Sequence, residues 1–322
     1  MLHTILEVNK KEEPNCDDKK LSKKENKMIG FIGLGIMGKP MAINLLKKGV
    51  PLLVNDLVQK AVDETVSHGA TFASAKEIGE KCDVIFMILP NGDIVKSVLF
   101  GESGAAAKMK RGSLVVDMSS VTPAQSKFCA NRLKEQGVGF LDAPVSGGEP
   151  GAINATLAFM VGGEQLDFDK AKPYFEKMGS SAVLIGESGS GSVTKLANQI
   201  IVNLGIAAVS EAFVLATKAG ADPEKVYQAI RGGLAGSAVL DAKAAMIYNR
   251  NFKPGGKISI NHKDIKNVMA TAKDLTVPLP FSSQLFEVMQ ALMAHGMQDQ
   301  DHSAIVRYFE EMAQVTVQKK NA

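Results

Sequence analysis

"MIGFIGLGIMGKPMAINL", residues 28 to 45, opens on a short run of branched and aromatic side chains, turns on three glycines, and continues as a helical pattern that ends near Gly49. A strand running into a glycine turn and then a helix places the helix N-terminus beside the strand end, where free N–H groups and the macrodipole attract an anion. Gly33 suits the tight turn, Gly35 the close approach of backbone to a pyrophosphate, and Gly38 the close packing of helix on strand. Three glycines in a GxGxxG spacing are a weak signal alone. Their weight here comes from the strand before, the helix after, and Asp56, which closes the second apolar run 21 residues beyond Gly35. Gly33, Leu34, Gly35, Ile36, Met37 and Gly38 are therefore expected to cradle a dinucleotide. A carboxylate at Asp56 accepts from adenine-ribose hydroxyls and repels a 2′-phosphate, and the next residue is Leu57 rather than arginine. NADH is favoured, with NADPH kept open because a cation such as Lys60 could shift the preference.

The same alternation continues downstream. "PLLVND" (51 to 56), "DVIFMILP" (83 to 90), "SLVVDM" (113 to 118), "GFLDAP" (139 to 144), "LAFMVGG" (157 to 163) and "AVLIG" (182 to 186) read as strands, most of them separated by helical stretches. That order predicts an α/β fold, a Rossmann-type doubly wound parallel sheet with ligands beyond the carboxyl ends of its strands. After about residue 190 the strands stop. Helices broken at 220 to 223, 232 to 236, 254 to 256 and 278 to 280 predict a smaller all-helical domain. The expected division is a tail over 1–27, a dinucleotide-binding domain over 28–190, and a substrate and oligomerisation domain over 191–322. The tail holds seven lysines and six acids and little aliphatic material, so it is expected to be disordered, with Met28 as a possible true start.

Composition narrows the partners. With 45% hydrophobic and 22% charged residues the chain reads as an ordinary soluble protein, and a net charge of +3 without a basic block argues against nucleic acid. Cys16, Cys82 and Cys129 form neither a disulfide framework nor a CxxC pair, which fits a reducing cytoplasm. The five histidines lack ligand spacing, so no metal is expected. The apolar stretch from Leu196 to Ala216 is interrupted by Asn198, Gln199, Asn203, Ser210 and Glu211, and so reads as a buried core helix rather than a membrane span, with Glu211 paired to a buried donor.

Three strand-end loops, "LPNGD" (89 to 93), "DMSSVTP" (117 to 123) and "DAPVSGGEPGA" (142 to 152), offer hydroxyls and backbone N–H groups without bulk. Such loops suit a small anion and a nicotinamide amide. Ahead of the long apolar helix, "SGSGSVTKLANQ" (188 to 199) puts Lys195 in or near the first helical turn, where the macrodipole disfavours a cation by about 0.3–1 kcal/mol. Something should repay that misfit, although for one lysine taken alone a solvated place on the helix surface is the plainer reading.

"FIGLGIMGKPMAINL" (31 to 45), "DMSSVTP", "DAPVSGGEPGA" and "GSGSVTKLANQ" together resemble the signature segments of the β-hydroxyacid dehydrogenase family. The resemblance runs from Met28 to the C-terminus. Its C-terminal half is most similar to the tartronate semialdehyde reductase branch, through "YQAIRGGLAGSAVLDAKA" (227 to 244) and "NFKPGGKISINHKD" (251 to 264) among others. The resemblance implies Lys195 as catalytic general acid and Asn198 as the residue that orients substrate. It implies Ser146, Gly147 and Gly148 as the grip on the substrate carboxylate, and Ser120 as a contact to both cofactor and substrate. Leu89, Pro90 and Lys263 are implied to lie against the cofactor. The implied reaction is reduction of tartronate semialdehyde to D-glycerate, and a homodimer or homotetramer is implied. Two alternatives stand beside it: a 3-hydroxyisobutyrate dehydrogenase, whose substrate has a methyl in place of a hydroxyl, and a non-catalytic dinucleotide-binding protein. In this branch arginine often stands where Leu57 does, which leaves the dinucleotide preference open.

Overall fold

A computed structural model of the protein describes residues 28–320, so the expectations for the tail and for Cys16 lie outside the described residues. The first part of the chain alternates β1 (Ile29–Ile32), α1 (Gly38–Lys47), β2 (Leu52–Asn55), α2 (Gln59–Val66), β3 (Thr71–Phe72), α3 (Ala75–Lys81), β4 (Val84–Met87), α4 (Gly92–Phe100), β5 (Leu114–Asp117), α5 (Pro123–Lys134) and β6 (Gly139–Asp142). It continues with β7 (Val145–Ser146), α6 (Gly148–Asn154), β8 (Leu157–Gly162), α7 (Gln165–Met178) and β9 (Gly179–Gly186). The helices that follow are α8 (Ser190–Lys218), α9 (Pro223–Ile230), α10 (Ala238–Tyr248), α11 (Ile258–Leu275), α12 (Pro280–Ala294) and α13 (Val306–Ala313).

The sheet order is β3-β2-β1-β4-β5-β6-β8-β7, with β9 also on β8. From β3 to β6 every pairing is parallel. Beyond β6 the direction changes: β8 runs antiparallel to β6 and β7, and β9 runs parallel to β8. The short helix α6 turns the chain back, so β8 returns against the strands it follows. The two-residue strands β3 and β7 carry too little pattern to be read from sequence.

Strands β1, β4 and β5 are buried along their whole length, because helices cover both sheet faces. Phe31, Phe86, Phe159 and Phe175 fill one side, while Ile32, Ile85, Met87 and Val115 fill the other. Each such side chain contributes about 1.5–3 kcal/mol by leaving water. Local signals start the helices: Ser74 with Glu77 and Thr122 with Gln125 form capping boxes. Helix α1 differs, since its N-cap Met37 offers no side-chain acceptor.

Helix α8 corrects three expectations. It begins at Ser190, so Lys195 is its sixth residue, in the second turn, where the macrodipole acts only weakly. It is not buried all round: Gln199, Asn203, Ile206, Ser210 and Phe213 face inward, while Ile201 and Leu215 are 71% and 73% exposed. Glu211 lies on the exposed side and needs no buried donor. By length and apolarity α8 could cross a membrane, yet polar side chains occupy its inward face and α10, α11, α12 and α13 pack against it.

Candidate active site

The glycine turn has the three expected geometries. Gly33 sits at φ +98°, and a Cβ there would lie 2.2 Å from the Ile88 carbonyl oxygen. A Cβ on Gly38 would lie 1.9 Å from the Gly33 oxygen, so α1 packs on the turn only because that atom is missing. Around Gly35, by contrast, no protein atom comes within 4 Å of a Cβ position. This open cradle and the uncapped start of α1 face a cleft of about 350 Å³ whose walls include Leu34, Gly35, Ile36, Asp56 and Val58. Asp56 accepts from Leu34 N at 2.5 Å and Val58 N at 2.7 Å, tying the second strand to the turn. Its carboxylate keeps further lone pairs for a ribose hydroxyl. The nearby cation Lys39 pairs with Glu64. These residues fit a dinucleotide: a bare backbone approach, orphan helix N–H groups and a ribose acceptor.

At the other end, α11 is bound to the strand-end loops. Lys263 Nζ donates to Ser120 O at 2.9 Å and Pro90 O at 3.2 Å, and pairs with Asp264 Oδ1 at 3.1 Å. Ser120 Oγ donates to Asp264 Oδ1 at 2.8 Å, and Leu89 N donates to Ser119 Oγ at 2.8 Å. The structure thus brings Leu89, Pro90, Ser120 and Lys263 to one place, with the lysine ammonium turned onto two carbonyls.

Lys195 is half-buried and makes no hydrogen bond or ion pair with any described residue. Burial pulls its pKa below the ordinary lysine value; the Asp264 carboxylate opposes this and the Lys263 ammonium adds to it. One turn on, Gln199 is the buried member of the Asn198–Gln199 pair. Asn198 Nδ2 donates to Gln199 Oε1 at 3.0 Å, and Gln199 Nε2 donates to Asp264 Oδ2 at 2.6 Å and Asn261 Oδ1 at 3.3 Å. Asp264 therefore links α8, α11 and the Ser120 loop beside the lysine.

The start of α8 is fixed by Asp142 at the end of β6, which accepts from Gly189 N and Ser192 N, each at 2.7 Å. A Cβ on Gly191 would lie 2.3 Å from Asp142 O and 2.4 Å from Met160 O, so only glycine lets the helix seat this closely. Ser146 ends β7, and Gly147 and Gly148 follow at φ +133° and +61°, values that side-chain-bearing residues rarely adopt. A Cβ on Gly148 would lie 4.0 Å from Gly255 O, which sets the serine-glycine loop against the turn before α11.

Asp142, Gln199, Asn261, Asp264 and His302 were not singled out from sequence. The available signal was a polar residue repeating along the inward face of an apolar helix, as Gln199 and Asn203 do. His262, which adjoins Lys263, stacks on Phe286 with ring centroids 4.9 Å apart and so serves packing.

Comparisons with known proteins agree with this geometry. The family description "NAD binding domain of 6-phosphogluconate dehydrogenase" matches residues 28–186, and "NAD-binding of NADP-dependent 3-hydroxyisobutyrate dehydrogenase" matches 189–309. The 2-hydroxy-3-oxopropionate reductase of Escherichia coli is 45% identical over 286 residues, covering 88% of this chain and 98% of its own. The 2-(hydroxymethyl)glutarate dehydrogenase of Eubacterium barkeri is 36% identical, covering 90% of this chain and 97% of its own. The solved 3-hydroxyisobutyrate dehydrogenase of Mycobacterium tuberculosis, with L-serine, superposes with a TM-score of 0.82 at 29% identity, covering 88% of this chain and 99% of its own. The chain belongs to the β-hydroxyacid dehydrogenase family. It is an NAD(P)-dependent oxidoreductase acting on a CH–OH group, which sets aside the non-catalytic alternative.

Proposed function

We propose that this enzyme reversibly reduces tartronate semialdehyde (2-hydroxy-3-oxopropanoate) to D-glycerate, with NADH favoured over NADPH. The observation that carries the reading is the unpaired Lys195 ammonium, set on a capped helix beside Asp264 and the Ser120 loop. A dinucleotide held at the glycine turn would supply the hydride for the aldehyde carbon. Lys195 stabilises the charge that grows on the aldehyde oxygen and gives it a proton, leaving a neutral amine that solvent reprotonates. Ser146, Gly147 and Gly148 hold the carboxylate, and Ser120 and Asn198 orient the substrate. Gly33 to Gly38, Asp56, Leu89, Pro90 and Lys263 hold the dinucleotide. The 45% identity to a 2-hydroxy-3-oxopropionate reductase supports this choice of substrate. Asp56 with Leu57 after it supports NADH.

In this reading, residues 28–190 bind the dinucleotide and 191–322 complete the substrate site and the oligomer. The enzyme is a cytoplasmic homodimer or homotetramer, without a nucleic-acid or membrane partner. The test is turnover of tartronate semialdehyde and of its 2-methyl counterpart, each with NADH and with NADPH. Faster turnover of the hydroxy substrate with NADH is expected; preference for the methyl substrate would make the protein a 3-hydroxyisobutyrate dehydrogenase instead.

A further inference from the structure

His302 opens a short 3-10 turn (His302–Ile305) before α13 and is only 7% exposed. Its Nδ1 lies 3.2 Å from Asn203 Oδ1. Asn203 spends its own amide N–H on Gln199 O at 2.9 Å, so its oxygen faces the histidine as an acceptor. The proton must then sit on Nδ1, and Nε2 carries a bare lone pair. No described residue donates to that Nε2. This Nε2 is not sealed inside the fold, so a donor that arrives with the substrate can reach its lone pair.

The surroundings say where that partner binds. The Asp301 carboxylate accepts from Gly255 N at 3.1 Å and Gly256 N at 3.0 Å and pairs with Lys243, holding a glycine turn in front of the imidazole. A Cβ on Gly256 would lie 3.5 Å from His302 Nε2, so the missing side chain leaves space over the lone pair. Gly255 O in turn faces Gly148 of the serine-glycine loop. Burial, with Lys243 and Lys195 on one side of the balance and Asp301 and Asp264 on the other, brings the His302 pKa down to about 4. The ring is neutral at physiological pH, as an acceptor must be.

We propose that His302 Nε2 accepts a hydrogen bond from the hydroxyl on the substrate carbon between aldehyde and carboxylate, and so selects 2-hydroxy over 2-methyl semialdehydes. This rests on the proposed reductase reading and deepens it. Methyl and hydroxyl differ little in size, so shape alone separates them weakly. A methyl placed against Nε2 leaves the lone pair unmatched, and a site built to bond a hydroxyl rejects its absence by about 10²-fold or more.

The experiment measures kcat/KM for 2-hydroxy-3-oxopropanoate and 2-methyl-3-oxopropanoate at saturating NADH in the wild type, His302→Phe, His302→Gln and Gly256→Ala. The wild-type ratio is expected to favour the hydroxy substrate by about 10²-fold or more. His302→Phe should bring that ratio near one, and His302→Gln, which can still present an oxygen, should keep part of it. Should His302→Phe fail to fold, Gly256→Ala tests the same gap from the other side, because its Cβ meets only ordinary contacts and should still lower the ratio. A wild-type hydroxyl preference that persists undiminished in folded His302→Phe, or in Gly256→Ala, overturns the role of His302 alone. A wild type that prefers the methyl substrate overturns the substrate reading itself.

Discussion

Asp142 Oδ2 accepts the backbone N–H of Ser192 at 2.7 Å, so a carboxylate at the end of β6 serves as the N-terminal cap of α8. The helix has no cap of its own, since Gly189 precedes it. Replacing Asp142 by Ala strands two buried N–H groups, Gly189 and Ser192, and should cost about 1–3 kcal/mol. A thermal melt reads this as a lower Tm. Because the cap also seats the helix that carries Lys195, kcat should fall more than NADH affinity does.

Lys195→Ala should lower kcat/KM for aldehyde reduction by about 10²–10⁴-fold while NADH titration stays near the wild-type value. The pH dependence follows from burial lowering the pKa of Lys195. Reduction needs the protonated amine, so its rate should decline as pH rises through a value below the ordinary lysine range. Oxidation of the alcohol needs the neutral amine and should rise over the same interval. Unchanged turnover in the alanine variant would refute the role of general acid.

Gly35 and Gly38 should respond oppositely to a methyl group. Gly35→Ala meets no protein atom, so its Tm should match the wild type while NADH binding weakens by about 1.4 kcal/mol or more, that is, tenfold. Gly38→Ala drives its Cβ into the Gly33 oxygen and should unfold at a lower temperature with or without NADH. Paired melts and NADH titrations of both variants separate the two effects.

Asp117 is buried at the end of β5, and desolvation lifts its pKa to about 7 despite the Ser119 N–H it accepts at 3.0 Å. A folded pKa above the unfolded value means that stability is fully present below the unfolded pKa and is lost as pH rises through about 7. The loss is at most about 1.4 kcal/mol per pH unit within that interval. Asp117→Asn cannot ionise, so its Tm relative to the wild type should climb between pH 5 and pH 8. A constant difference across that range would show that Asp117 ionises freely in the fold.

Ile201 and Leu215 stand out of α8 on a face that no other described element covers. If a second copy of the chain covers it, light scattering should give a mass at least twice 34.2 kDa, and Ile201→Glu should shift the protein toward the monomer. A wild-type mass of one chain at micromolar concentration would remove the oligomer from the proposal.

The sequence by itself determined the alternating strands and helices, the glycine turn with Asp56 behind it, and the breaks between the later helices. These are local matters: apolar runs, φ-permissive glycines and cap residues act over a few positions. It also marked Lys195, through a charge at the head of an apolar helix. Only the tertiary structure decided that β8 reverses, that Asp142 caps a helix starting 48 residues later, and that Ser120, Lys263, Asp264 and Gln199 meet. Such pairings depend on where distant segments come to rest when the core closes. His302 illustrates the limit: its sequence neighbours give no hint of a role, and only the positions of Asn203 and Gly256 leave its Nε2 bare in front of an open space.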